Sequence, residues 1–204
     1  LVYATQISTG QEVGNLHGNR WKNAEKQISG GYSNPDAEVP YINEADPDAF
    51  DVWTWWPEIV EVVNQNQDWE TQDIGNFRSN DKGDSTDRED QPITGIPGWG
   101  DSTDGIASEY LALLELSTGS HTLAVKSDDG FSASFAGNFL DIQQQVVGAA
   151  TSTFIVHVQE PGLYPFRVLW WEGTGGANVE IFSMVGKDKV LINDPDVEGS
   201  IKAW

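Results

Sequence analysis

The sequence predicts an all-β chain, an antiparallel β-sandwich or jelly roll with long loops and one or two short helices. Two observations carry that expectation. Between residues 105 and 192, apolar and polar residues alternate at the two-residue period of a half-buried strand. Turn signals such as "DDG", "EPG" and "GKDK" then cut those runs at short intervals, the rhythm of an antiparallel sandwich.

The elements follow in order along the chain. "NAEKQISGGY" reads as a short helix that two glycines stop, and "DVWTWWPEIVEVVNQN" opens as an aromatic strand with Trp53, Trp55 and Trp56 as core candidates. Pro57 then admits either a helical first turn, with Ile59, Val62 and Val63 on one side, or a second strand. From Asn76 to Gly105 the chain is polar and glycine-rich, a loop of unusual length for a compact domain and therefore a functional candidate.

That loop holds a small repeat, "GDSTD", at Gly83–Asp87 and again at Gly100–Asp104. One reading is solvated turn chemistry, in which Asp and Ser hydrogen-bond their own backbone. The other is a calcium-stabilised loop built on Asp81, Asp84, Asp87 and Asp90, although the spacing is not that of an EF-hand.

"GIASEYLALLEL" fits a strand, though its leucines also suit a helix. "GSHTLAVKS" alternates into the "DDG" turn, and "FSASFAGN" alternates again. "STFIVHV" places Phe154, Val156 and Val158 on one face against Ile155 and His157 on the other. "LYPFRVLWW" runs extended, "ANVEIFSMV" returns after a glycine-rich bend, and "GKDK" closes a last hairpin into "VLI". No composition break divides the chain, so residues 1–204 read as one elaborated domain.

Composition excludes several function classes. Thirty-two acidic residues against eleven basic ones give a net charge of −21. Such a field repels a phosphate polymer and an anionic membrane surface, and draws in cations. There is no cysteine, so disulfides contribute nothing. No apolar run is long enough to span a bilayer, and "LVYATQISTG" lacks the basic start and apolar core of a signal peptide. The abrupt start and the end on Trp204 read like an excised module of a larger protein.

Two segments then stand out. "HTLAVKSDDGFSASFAG" contains the pair Asp128–Asp129 before Gly130, and "WWEGTGGANVE" leaves a strand through Glu172 and four residues with almost no side chain between them. With "GLYPF" at Gly162–Phe166 between them, these pieces resemble the lectin-like β-sandwich named after anthrax protective antigen. Relatives of that family occur in yeast flocculins and adhesins and as inserts in bacterial glycosidases. The resemblance covers roughly residues 105–192, and the first hundred residues match only loosely.

In the sugar-binding members of that family, two neighbouring aspartates joined by a cis peptide bond hold Ca²⁺. A second loop completes the coordination, and vicinal sugar hydroxyls bind the exposed ion. Carried over by position, the resemblance implies Asp128 and Asp129 as the acidic pair. It implies a second loop from Glu172 to Gly176, with the Glu172 carboxylate and the Thr174 and Gly176 carbonyls as ligands. The departure is Glu172, where sugar-binding relatives often carry asparagine or aspartate.

The chemistry accords with this. Calcium takes about six to eight oxygens, mixing carboxylates with carbonyls. Adjacent side chains of an ordinary strand point to opposite faces, so two neighbours on one ion require an unusual backbone. Gly130, Gly173, Gly175 and Gly176 give that backbone room. Taken alone, "SDDG" is a hairpin turn and "EGTGG" a flexible loop. Together, within matching strands, they read as two halves of one calcium site.

Nine tryptophans invite a second expectation, because sugars stack their C–H faces on aromatic rings. Trp170 and Trp171 are consecutive, so a strand turns one inward and the other outward. Trp171, beside Glu172, is the candidate wall of the ligand site, and Trp99 in "GIPGWGDS" is the second candidate.

Catalysis finds little support. No acid sits in a strongly apolar sequence context that would raise its pKa, and neither His-Glu-x-x-His nor Gly-x-Ser-x-Gly occurs. "GDS" matches an esterase nucleophile motif, yet none of His17, His121 and His157 lies in the required Asp-x-x-His context. The expectation is a non-catalytic, extracellular or cell-surface carbohydrate-binding module that uses Ca²⁺. The alternative is a structural or adhesion module in which calcium only stiffens loops.

Overall fold

The computed structural model describes residues 1–6, 20–29, 45, 59–67, 69, 90–96, 103–144 and 148–204. Trp53, Trp55, Trp56, Trp99 and the acidic run Asp81, Asp84 and Asp87 lie outside them. The elements are β1 (Val2–Gln6), α1 (Trp21–Ile28), β2 (Asn64–Asn66), β3 (Ile106–Leu116), β4 (Gly119–Asp128) and β5 (Gly130–Phe135). They continue with β6 (Asn138–Gln143), β7 (Ala150–Val158), β8 (Gly162–Glu172), β9 (Asn178–Val185) and β10 (Asp188–Leu191).

Two antiparallel sheets form the all-β sandwich that the alternation predicts. One runs β1-β3-β8-β5-β6 and the other β10-β9-β4-β7, with β2 added to the edge of β9 beside β10. The leucine-rich "GIASEYLALLEL" is a strand, paired along its whole length with β8 from Ile106↔Glu172 to Leu116↔Gly162. Alternation settles its fold: Tyr110, Leu114 and Leu116 enter the core while Leu111 and Leu113 face out.

Between the sheets lie Leu123, Val125, Phe131, Phe154, Val156, Phe166, Val168, Trp170, Val179 and Ile181. Each large side chain removed from water there contributes about 2–3 kcal/mol of transfer free energy. Phe154, Val156 and Val158 share the inward face of β7, and Ile155 is 62% exposed on the outer one.

Two segments pack on the outer faces. The residues Ile59, Val62 and Val63 form no helical face: Ile59 is exposed, Val62 packs on the outside of the second sheet with Ala124, Phe182 and Leu191, and the chain then enters β2. The helix "WKNAEKQI" does form, and it covers the outer face of the first sheet. Ala24 and Ile28 pack on Ala107, Leu169 and Trp171. Arg167 of β8 fastens it there with a two-pronged ion pair to Glu25 at 2.7 and 2.9 Å, and with a further hydrogen bond to Glu109.

Candidate metal centre

One end of the sandwich gathers the ends of β4 and β8 and the starts of β3, β5 and β9. Register places them there: Ile106 pairs with Glu172, Gly130 with Trp171, and Asp128 with Asn178. The two segments singled out in the sequence therefore meet at this corner, which the register alone establishes.

The Asp128–Asp129 peptide bond is cis. The carbonyls of both residues are anchored. The buried Trp170 indole N–H donates to the Asp128 carbonyl at 3.1 Å, and the Ser127 hydroxyl donates to the Asp129 carbonyl at 3.0 Å. Gly130 follows because nothing larger fits: a Cβ there lies 2.5 Å from the Trp171 ring and 2.6 Å from the Gln143 carbonyl oxygen.

Carboxylate oxygens of Asp128, Asp129 and Glu172 all lie within 4.8 Å of one another, a cluster able to hold a metal ion. Asp129 and Glu172 are buried, at 2% and 1% exposure, while Asp128 is partly open. No described donor reaches either Glu172 oxygen. Its neighbour is the Asp129 carboxylate, itself an acceptor, so only a proton shared between them would make that contact a hydrogen bond. Burial, then Asp129, then the charges of Asp128 and Asp104 push the Glu172 carboxyl up to about 10. Burial, and next the Asp129 charge, raise Asp128 to about 6, against a backbone hydrogen bond from Ala149. Acids in a pKa-raising setting are thus present, contrary to the sequence expectation. The depressed dielectric comes from tertiary burial at the sheet end, not from apolar sequence neighbours.

The second loop, residues 173–177, is pinned at alternate peptides. The Gly173 N–H donates to Asp129 at 3.2 Å, and its carbonyl accepts from Gly105 at 2.9 Å. The Gly175 N–H donates to Asp104 Oδ1 at 3.3 Å, its carbonyl accepts from Gln67 Nε2 at 2.8 Å, and the Ala177 carbonyl accepts from the Gln67 N–H at 2.9 Å. Gly175 adopts φ +112°, a conformation that favours glycine. Among the described residues, no donor is bound to the carbonyls of Thr174 or Gly176, the two nominated as ligands. Gly176 stands beside the acidic pair, its Cβ position 3.5 Å from Asp128 Oδ2. A hard cation with oxygen ligands suits this cluster, which offers three carboxylates and no sulfur or imidazole.

One expectation needs correction. Trp171 is 2% exposed beneath α1, so it presents no ring face to a ligand. Alternation did turn it to the outer face, but the helix covers that face. Asp90 is buried and accepts a hydrogen bond from Asn66 Nδ2 at 3.0 Å; the rest of the acidic run grouped with it lies outside the described residues. Asp104, overlooked as a site residue, belongs to the corner; its only advance sign was the repeated "GDSTD". His157 is exposed and shares a hydrogen bond with Ser120 at 2.9 Å, at the other end of the sheet.

No family model matches the chain, and no curated protein does. Solved structures with a similar course include the PA14 domain of the MpAFP antifreeze protein, at 19% identity and TM-score 0.41. That match covers 58% of this chain and 56% of the other, so the chain spans about half the length of that relative. A PA14 sugar-binding domain from an RTX adhesin aligns at 17% identity and TM-score 0.41, over 79% of this chain and 90% of that one. The A domain of epithelial adhesin 6 from Candida glabrata, in complex with Galb1-3GlcNAc, aligns at 14% identity and TM-score 0.36, over 55% and 58%.

Proposed function

We propose that this chain is a non-catalytic carbohydrate-binding module in which Asp128, Asp129, Glu172 and the carbonyls of Thr174 and Gly176 hold Ca²⁺, leaving part of its shell to sugar hydroxyls. One observation carries the reading: a buried Glu172 carboxylate without a hydrogen-bond donor, facing two more carboxylates. Burying uncompensated negative charge is costly, and a divalent cation removes that cost while completing an oxygen shell. The resemblance of "SDDGF" and "WEGTGGA" to the lectin-like sandwich supports both the ion and the sugar.

The residues divide the work. Asp129 and Glu172, buried, neutralise the ion from inside; Asp128, partly open, sits at the rim. Thr174 and Gly176 lie exposed, so their side of the corner is where a diol approaches. Bound there, the cation supplies exchangeable coordination sites for neighbouring hydroxyls. We assign the module to a larger extracellular or cell-surface protein and treat residues 1–204 as one unit. Among the described residues, no helix is long and apolar enough to cross a membrane.

Calorimetric titration with Ca²⁺, followed by glycan binding with and without chelator, tests the proposal. The expected result is stoichiometric calcium uptake and glycan retention that chelator abolishes. Calcium uptake with thermal stabilisation but no retention on any glycan would leave the loop-stiffening module instead.

A further inference from the structure

The second loop owes its shape to parts of the chain that lie outside the strands bearing the acids. Three glutamines from the first third of the sequence reach it, Gln67 directly and the other two through Asp104–Gly105. Gln6, at the end of β1 and fully buried, donates its Nε2 to the Asp104 carbonyl at 3.1 Å. Gln27, in the last turn of α1 and 5% exposed, donates to the Gly105 carbonyl at 2.9 Å. Gln67, directly after β2, donates from its side chain to Gly175 and from its backbone to Ala177. Asp104 and Gly105 pass the restraint on, since the Asp104 carboxylate accepts from the Gly175 N–H and the Gly105 N–H donates to the Gly173 carbonyl.

We infer that Gln6, Gln27 and Gln67 are positioning residues of the cation site, forming a brace that acts directly from Gln67 and, for Gln6 and Gln27, through Asp104–Gly105, and holds Thr174 and Gly176 with their carbonyls uncommitted. The inference rests on the calcium reading above and assigns a task to the first hundred residues, which that reading leaves without one. Glutamine suits the task chemically. Its amide is a long, neutral donor that ties down a carbonyl without adding positive charge. A lysine or arginine reaching the same carbonyls would place its own cation beside four carboxylates and compete with the metal. Tying alternate peptides also lowers the ordering cost that a glycine-rich loop meets when it closes on an ion.

The test uses Gln67→Met and Gln27→Met, which keep length and bulk but remove the donor. Three quantities are read on the intact chain: Ca²⁺ affinity by calorimetry, amide hydrogen exchange at residues 173–177 without metal, and the melting midpoint without metal. The brace predicts Ca²⁺ binding weaker by about three- to tenfold per glutamine, the size of one lost hydrogen bond. It predicts faster exchange at Gly173 and Gly175, and a cation-free midpoint close to wild type for Gln67→Met. Wild-type affinity together with unchanged loop exchange in both variants overturns it. So does an affinity loss that merely tracks a lowered midpoint. Should one variant fail to fold, the other decides. A wild-type chain that takes up no calcium would remove the function proposed above, and the exchange rates would then judge the brace alone.

Discussion

Two groups of carboxylates gather along strand β8, with opposite electrostatic fates. Midway along it, Glu25 and Glu109 surround Arg167, and the Arg167 hydrogen bonds hold the Glu25 carboxyl below its ordinary range. At its end, Glu172 joins Asp128 and Asp129, and burial pushes the Glu172 carboxyl up to about 10. Among the described residues, the charges that shift Glu172 are all negative. The first group is supplied with its cation by the chain itself. The second has the geometry of a cation site, and that contrast separates an ion pair that fastens a helix from an acidic cluster able to hold an ion.

The largest effect follows from removing the acidic pair. Asp128→Asn combined with Asp129→Ala should lower Ca²⁺ affinity at least about a hundredfold, since two of the hard ligands go. The far-ultraviolet circular dichroism should stay as it is, and glycan retention should vanish. Retained affinity would erase the distinction between the two groups.

Next comes Glu172→Gln, where the two regions should answer with opposite signs. Near neutral pH the cation-free chain should gain about 1–3 kcal/mol, because the amide spares folding the cost of protonating a buried acid. Ca²⁺ binding should weaken about tenfold in the same variant. The parallel change Glu25→Gln should lose stability, because it breaks the fork on Arg167. Melting curves with chelator compare the two.

Smaller again is Arg167→Met, which takes the internal cation away. Arg167 and Glu25 are about a third exposed, so solvent screens much of the pair. The expected loss is about 1–2 kcal/mol, seen as a lower midpoint and faster amide exchange along α1, with Ca²⁺ affinity unchanged.

The sequence made the corner legible and its surroundings opaque, for a physical reason. Asp128, Asp129 and Glu172 sit beside turn glycines within strands of clear alternation, so local pattern and register together bring them into one place. Helix α1 was readable from "NAEKQISGG", but not the face it covers, and so Trp171 was expected in the open when Ala24 and Ile28 lie over it. The contacts of Gln6, Gln27 and Gln67 leave no local trace at all. An amide that reaches across 78 or 108 residues to a carbonyl looks in sequence like any solvated glutamine. Nor does "EGTGG" announce that Glu172 is buried, since the walls around it come from β3, β4 and β5.

Proton linkage gives the finest test of the contrast, best made in the Glu172→Gln background where Asp128 is the raised acid that remains. Its carboxyl stands at about 6 in the folded chain against an ordinary 3.8. The folded state therefore binds more protons than the unfolded one across that interval, and the stabilisation is complete below about 3.8 and lost as pH rises through about 6. Glu25 runs the other way: its contribution is present above 4.5 and lost as pH falls below, outside the window of interest. Asp128 is partly open to water, so the nominal shift is discounted to about 1 kcal/mol. Cation-free melting midpoints should then decline between pH 5 and 7. With saturating Ca²⁺ the trend should reverse, because protons and the ion compete for the same oxygens and the ion gains as pH rises. Two curves that run parallel with and without calcium would mean that the ion, wherever it binds, does not bind at Asp128.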